Sequence, residues 1–338
     1  MKHRPTITDV AAAAGVSVST VSKAVNGRYG VSSDTVDRVL AVVDELGYES
    51  SLIASSMRSR TTGVIGVLVA DFEPFSAEIL KGVGQALRHS RHDLLAYSGS
   101  HGSTDGWERR SLSRLSGTLI DGAIMVTPTV IDAGTEVPVV AIDPHTGRAG
   151  LPTVESDSFG GALQATRHLI ELGHTRIGFI AGRPDLRSSI ARDAGYRRAL
   201  REAGLAVDPM LVGSGSYRED TARQAALEML GRVNRPSAIF AANDITGLEI
   251  MRVAAELGLD VPRDLSIIGF DDVPEASTSS PALSTVRQPM QTLGAEAARL
   301  LLALMRGETP DVTHITLPTR LIPRATTAPP RTGAAGIR

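Results

Sequence analysis

The sequence predicts a small all-α head of about fifty residues, followed by an α/β core built as two doubly wound parallel-sheet lobes. Three observations carry that prediction. Residues 6–27, TITDVAAAAGVSVSTVSKAVNG, read as two short helices joined by a tight turn, a helix-turn-helix. From Gly63 the texture changes to strand, loop and amphipathic helix in repetition, with strands that are apolar almost throughout, the pattern of parallel sheets covered on both faces. The alternation runs twice, in two series of similar length, so a ligand cleft is expected where the carboxyl ends of the two sets of strands meet.

In the head, Thr6 stands three residues before Asp9, so a hydroxyl and a carboxylate can satisfy the free amides of a first helix. The alanine run 11–14 favours helix and keeps it slim. Gly15 can stop it by adopting positive φ, and Ser17 reads as the next N-cap. A second helix over 18–25 then ends at Asn26-Gly27. Val10, Ala14, Val16, Val21 and Val25 can bury together, which turns Ser17, Val18, Ser19, Ser22 and Lys23 outward. A short helix with a small hydroxyl-rich face and one cation suits a DNA major groove. A third helix starts at a cap at Ser32 or Ser33 and runs to Leu46, with Val36, Val39, Leu40, Val43 and Leu46 at helical spacing.

Next comes SSLIASSMRSRTTG, residues 50–63 and serine-rich, with Leu52, Ile53 and Met57 as its apolar members. It is too polar for a core helix and lacks the Gly and Pro of a plain linker. It reads as a conditional hinge helix over 51–61, shorter than the ~12–15 residues an isolated helix needs. In the core, strands are expected at 64–69, 93–98, 122–126 and 137–142, then at 176–181, 210–214, 238–242 and 265–270. Helices are expected at 77–90, 160–172, 190–203, 221–230 and 246–257. His174, just after Gly173, reads as a helix cap, and Trp107 as packing in a helical context. Residues 331–338 are expected to be a disordered tail without leucine heptads, which favours a dimer over a tetramer.

At 338 residues the chain can bury large cores, and 42% hydrophobic with 21% charged residues is ordinary for a soluble globular protein. Cysteine is absent, which excludes disulfides and thiolate metal sites and fits a reducing cytoplasm. There is no apolar run of membrane-spanning length and no signal-peptide hydrophobic region, so no membrane partner is expected. The net charge of −2, and seven Lys/Arg against six Asp/Glu in residues 1–60, do not by themselves announce a nucleic-acid binder. DNA affinity must therefore come from placed contacts and dimerisation.

With these motifs in order the chain resembles the lac repressor (LacI/GalR) family of transcriptional regulators from Thr6 to about Pro330. The marks are ITDVAAAAGVSVSTVSKAVNG, Gly47-Tyr48, ASSMRSRTTGVIGVL, ELGHTRIGFIAG, IARDAGYRRAL, FAAND, VPRDLSIIGFDD and LSTVRQPMQTLG. The resemblance implies a DNA-binding head over 1–50, the hinge helix over 51–61 and a periplasmic-binding-protein-like core. Its N-terminal lobe would take 62–159 and 290–320 and its C-terminal lobe 160–289 and 321–330, with crossings near Gly160, Pro289 and Arg320. It also implies that Val18, Ser19 and Lys23 read base edges, while Thr6, Ser17, Ser22, Asn26, Ser32, Thr35 and Tyr48 grip phosphates or brace the head. The hinge departs from the family pattern: Ser50-Ser51 stands for Pro-Asn, Ser55 for the arginine, and Met57 for the leucine that wedges into the minor groove. Methionine keeps that role as a more flexible wedge.

For an effector cleft the resemblance points to Phe75, Asp143, Arg192, Tyr217, Asn243, Asp271 and Gln288. Two aspartates can each accept two hydrogen bonds from vicinal hydroxyls, Arg192 can fork across two oxygens, and an aromatic face suits a sugar ring. Asp143 is followed by Pro144-His145 where the family usually has Asp-Arg. Asp244 and Asp272 are set aside as turn caps or cross-lobe ties. The expected function is a homodimeric repressor of carbohydrate genes, released from a pseudo-palindromic operator on double-stranded DNA by a mono- or oligosaccharide. A corepressor of opposite sign is equally available to the fold. Two other classes stay open here: a sugar-binding transport or chemoreceptor protein, which needs a secretion signal, and a sugar-processing enzyme. Against the enzyme, no GxSxG, Walker A, GxGxxG or metal-spaced histidine cluster appears, and neither cofactor nor metal is expected.

Overall fold

The computed structural model describes residues 5–25, 30–46, 61–99, 106–129, 137–145 and 150–331. The chain divides into two compact units, a head that ends at Thr62 and a core that begins at Gly63. In the head, α1 spans Ile7–Ala14, α2 Val18–Val25 and α3 Ser33–Leu46. Thr6 caps α1 through a reciprocal pair: its N–H donates to Asp9 Oδ2 at 2.7 Å and the Asp9 N–H donates to its Oγ1 at 3.4 Å. Gly15 closes the helix at φ +64°, donating its N–H back to the carbonyls of Ala11 and Ala12. Ser17 Oγ accepts from the Thr20 N–H at 3.1 Å and so starts α2.

Small side chains let these helices approach closely. Val10, Ala11, Ala14, Val21, Ala24 and Val39 are buried together, with Val16, Val25, Val36 and Val43 packed around them. The expected inward row of α3 is only partly correct, because Leu40 and Leu46 are 41% and 36% exposed. Leu40 follows Val39 by one residue and so lies roughly 100° round the helix from it, off the inward face. Leu46 is the last helical residue.

The core holds two six-stranded sheets. The first is built from β1 (Val64–Val69), β2 (Asp93–Ser98), β3 (Gly122–Val126), β4 (Val139–Ile142) and β5 (Thr153–Ser156), with α4 (Pro74–Leu87) and α5 (Trp107–Leu115) between strands. The second series is α6 (Ser158–Glu171), β6 (Ile177–Ala181), α7 (Arg187–Glu202), β7 (Val212–Ser214), α8 (Glu219–Leu230), β8 (Ala238–Ala241), α9 (Asp244–Glu256), β9 (Ser266–Asp271), α10 (Pro274–Thr278) and β10 (Ser284–Arg287). Then α11 (Met290–Met305) and β11 (His314–Leu317) return to the first lobe, and β12 (Arg320–Ile322) pairs antiparallel with β10. The strand orders are β2-β1-β3-β4-β5-β11 and β7-β6-β8-β9-β10-β12, all parallel except that last pair. Both follow the 2-1-3-4-5 doubly wound order, in which ligands bind beyond the strand carboxyl ends.

The chain therefore passes between lobes three times: after Ser156, after Arg287, and between Leu317 and Arg320. The crossings are tied to one another. The Asp157 N–H donates to the Leu317 carbonyl at 2.9 Å, and Thr319 Oγ1 donates to the Asp157 carbonyl at 3.0 Å. β5, β10, β11 and β12 were not legible as apolar runs because they are three or four residues long and carry Thr, Ser, Glu, Arg or His. Register with their neighbours makes them strands, not composition. His174, expected as a cap, instead stitches the second lobe. Its ring is buried between Ser237 Oγ at 2.8 Å, Ser266 Oγ at 3.1 Å and the Ala328 carbonyl at 2.9 Å.

In the first lobe α4 and α11 cross backbone against backbone. A Cβ at Gly82 would lie 1.9 Å from the Gln291 carbonyl oxygen, and one at Gly294 would lie 2.2 Å from that of Ile79. These obstacles are main-chain atoms and cannot swing aside. Gly82→Ala is expected to lower the urea-unfolding stability of the core by about 1–3 kcal/mol through overpacking; an unchanged unfolding midpoint would show that the crossing yields freely.

Candidate functional site

A cavity of about 340 Å³ lies between the two lobes, and Phe75, Asp143, Arg192, Tyr217, Asn243, Asp271 and Gln288 all line it. The topology explains the convergence. Asp143 follows β4, Tyr217 follows β7, Asn243 follows β8, Asp271 ends β9 and Gln288 follows β10, so each stands at a strand carboxyl end. Phe75 enters from the start of α4 and Arg192 from within α7.

The floor of the cavity is one polar chain that spans the crossings. The Ser156 N–H donates to Asp143 Oδ1 at 3.1 Å, and the Ser156 hydroxyl donates to Gln288 Oε1. Gln288 Nε2 in turn donates to Asp271 Oδ1 at 2.6 Å. Arg192 lies 3.6 Å from Asp271, donates to the Ala242 carbonyl, and stacks its guanidinium 3.8 Å from the Phe270 ring centroid. Asn243 caps α9 by accepting the Thr246 N–H at 3.0 Å, which commits its carbonyl oxygen and leaves its amide N–H groups to donate. The Arg192 Nε and both ring nitrogens of His145 are buried without a hydrogen-bond partner.

Burial governs the charges. It pushes the Asp143 carboxyl up to about 7, against the Ser156 N–H and Arg192, which hold it down. Asp271 is pushed up to about 6 by burial, opposed by Arg192 and Gln288. Glu73, at the N-cap of α4, also rises to about 7, through burial first and then the charges of Asp271 and Asp71. Carboxylates outnumber guanidiniums along the wall: Asp71, Glu73, Asp143 and Asp271 against Arg183, Arg192 and Arg218. Arg183 already grips Asp185 through Nε at 3.1 Å and Nη2 at 2.6 Å, and Arg218 grips Asp220 at 3.1 and 3.0 Å. The cavity is thus electronegative and poorly suited to an anion.

The lining also carries backbone strain. Among the described residues, Thr127, Asp143, Ser216, Tyr217, Asp271 and Asp272 are the non-glycine residues at positive φ. All but Asp272 line the cavity. Such clustering marks positions whose side chains are aimed at a cost in backbone energy. Sequence reasoning missed Glu73, Thr127 and Arg183, and noted His145 only as a departure from the family pattern beside Asp143. A signal was available for the last three, since each stands one to three residues beyond an apolar strand. Trp107 is 4% exposed, as expected of packing, yet it also lines the cavity. Neither Asp244 nor Asp272 lines the cavity. Asp244 accepts from the Val273 N–H at 2.9 Å and Thr285 Oγ1 at 2.5 Å, and Asp272 binds Arg287 and Arg324 at 2.5 Å each.

In the head, Ser17, Val18, Ser19 and Lys23 are exposed on one side of α2, Ser22 is half-buried, and Val21 and Ala24 point inward. Ser17 Oγ bonds Ser19 Oγ at 2.9 Å and Thr20 Oγ1 at 2.8 Å. Thr6 Oγ1 donates to Asp9 Oδ2 at 2.7 Å, and Ser32 Oγ bonds Thr35 Oγ1 at 2.9 Å. Thr6 and Ser32 are exposed at helix starts, and Thr35 is half-buried in the first turn of α3. Asn26, Tyr48, Met57 and the hinge segment 51–60 lie outside the described residues. No described helix is long and apolar enough to cross a membrane.

Comparison with known proteins places both parts. Residues 6–51 match the lacI family of bacterial regulatory proteins, and residues 166–327 match a periplasmic binding protein-like domain. The HTH-type transcriptional regulator CelR of Thermobifida fusca is 35% identical over 342 residues, covering 96% of this chain and 98% of that protein. A solved CelR–cellobiose complex superposes with a TM-score of 0.72 over 96% of this chain and all of that one, at 35% identity. The lac repressor dimer bound to operator and the anti-inducer ONPF superposes with a TM-score of 0.84 over the same shares, at 27% identity. The exposed second helix of the head, the two doubly wound lobes and these whole-length likenesses lead to one assignment: the chain belongs to the lacI family of bacterial regulatory proteins and is an HTH-type, DNA-binding transcriptional regulator.

Proposed function

We propose that the chain is a homodimeric cytoplasmic repressor of carbohydrate uptake and catabolism genes, released from a pseudo-palindromic operator when a sugar enters the interlobe cavity. The observation that carries this reading is the convergence of Asp143, Arg192, Asn243, Asp271 and Gln288 with the aromatic Phe75 and Tyr217 on one cavity. Carboxylates accept from vicinal hydroxyls, amides both donate and accept, and flat rings cover the C–H face of a sugar. The excess of carboxylates favours an uncharged sugar over a phosphorylated one. Cellobiose, held by the CelR of the solved complex, is the first candidate. In the head, Val18, Ser19 and Lys23 are proposed to read base edges, with Thr6, Ser17, Ser22, Asn26, Ser32 and Thr35 on phosphates and Met57 as the minor-groove wedge. The periplasmic-binding-protein likeness of the core then concerns ligand capture, and the regulator acts as a switch, not a catalyst.

In a gel-shift assay the protein is expected to retard the DNA upstream of its own gene, and cellobiose or a related glucoside is expected to release it. Lys23→Ala should weaken operator binding by about 1–3 kcal/mol, the worth of one base-reading contact. Failure to retain any promoter fragment at low salt would contradict the reading, and tighter binding with sugar would make the ligand a corepressor.

Effector affinity should also depend on pH. Asp143 and Asp271 are the proposed acceptors, and a hydroxyl is bound more strongly by an ionised carboxylate than by a neutral acid. With values of about 7 and about 6 each carboxyl is partly protonated near neutral pH, and that share of protons leaves on binding. Affinity is therefore expected to rise as pH increases from 5.5 to 8, and calorimetric enthalpies to vary with the ionisation heat of the buffer. A Glu73→Gln background removes the other raised carboxyl of the cavity wall, while Asp244, which burial and the charge of Asp271 also raise, lies behind the wall. A flat profile in that background would show that the two aspartates do not act as charged acceptors.

A further inference from the structure

On the first-lobe wall of the cavity His145 is 7% exposed, and neither Nδ1 nor Nε2 has a hydrogen-bond partner. Native interiors rarely leave an imidazole so placed, because an unmade bond to a buried polar atom costs stability. Thr129, on the same wall, is engaged with Glu108. Thr129 Oγ1 donates to Glu108 Oε1 at 2.6 Å, and the Glu108 carboxylate also takes the Thr129 N–H at 2.7 Å. Arg183, on the opposite lobe, holds Asp185 with two bonds. The His145 main chain is fixed by its own N–H, which donates to the Pro128 carbonyl at 2.9 Å. The ring it carries has two nitrogens that no neighbour satisfies.

We propose that His145 is a specificity-determining contact for the effector, in which its neutral ring accepts from one sugar hydroxyl and donates to a second oxygen, opposite the Arg183–Asp185 pair. This rests on the cavity being the effector site. Burial, reinforced by the charge of Arg183 and only partly offset by Asp185, holds the ring down to about 4, so one nitrogen is a donor and the other an acceptor. That pairing matches a hydroxyl-bearing ring and offers no cation to a phosphate. It also fixes the sugar to the first lobe at a second point, well separated in sequence from Phe75.

The test compares wild type with His145→Phe, His145→Leu and His145→Gln, by calorimetric titration with cellobiose, cellotriose and glucose and by thermal unfolding of the sugar-free protein. Phe and Leu fill the site without polar atoms. Both are expected to weaken the bound sugar at least tenfold while leaving the sugar-free melting temperature equal to or above that of wild type, because an unsatisfied buried group has gone. Gln restores a donor and an acceptor and is expected to recover most of the affinity. Affinities of Phe and Leu within twofold of wild type would overturn the assignment while leaving the cavity reading intact. So would a fall in sugar-free melting temperature that accounts for the loss in binding. A wild-type protein that takes up none of the three sugars would overturn the cavity reading and this inference together.

Discussion

Asp271 and Arg192 are buried together at the base of the interlobe cleft with half-buried Asp143 beside them, and the way the three are satisfied constrains the rest of the core. A buried charge is tolerable only when paired and hydrogen-bonded. Asp143 takes its bond from Ser156, Ser156 passes to Gln288, Gln288 to Asp271, and Asp271 faces Arg192. Two members of this chain, Ser156 and Gln288, stand where the polypeptide leaves one lobe for the other. The same residues that could bind a polyhydroxylated ligand therefore also join the first two crossings, and Thr319 with Asp157 adds the third. Ligand chemistry and lobe geometry share atoms, so a change at one is felt at the other.

This sharing explains why the cavity is electrostatically unsettled. Asp271 on the second lobe raises the cost of ionising Glu73 on the first, across the cleft. Their side chains sit on segments held by strained or capped backbone, with Asp143 at φ 45° and Asp271 at φ 112°. Strain of this sort persists only where surrounding structure over-determines it. Here the apolar sheets supply that support: β1, β3 and β4 are buried throughout, and Phe179, Tyr196 and Phe240 stack at 5.0 and 5.2 Å in the second lobe.

Much of this was legible in the sequence, for physical reasons. Apolar runs such as 64–69 and 265–270 have no stable alternative to a doubly buried strand, and the Thr6–Asp9 and Ser17–Thr20 pairs declare helix starts by chemistry alone. Short polar strands such as Thr153–Ser156 and His314–Leu317 were not legible, because their pairing is set by partners distant in the chain. All seven residues that the resemblance offered for the cleft do line one cavity. Glu73 escaped notice because nothing local distinguishes it from a loop residue facing solvent, whereas Thr127 and Arg183 were passed over although each stands just beyond an apolar strand. His174 was misjudged because its three partners come from Ser237, Ser266 and Ala328, far along the chain.

The central claim is that occupation of the cleft and grip on DNA are two ends of one equilibrium. Thermodynamic linkage makes that claim quantitative, since the coupling must be the same from either direction and falls typically at about 1–3 kcal/mol. The most direct measurement is the dissociation constant of the effector sugar for free protein and for protein saturated with its operator, set beside the operator constant with and without sugar. The account predicts that operator weakens sugar binding by the same factor, roughly 5–150-fold, by which sugar weakens operator binding. A sugar constant indifferent to bound operator would contradict it.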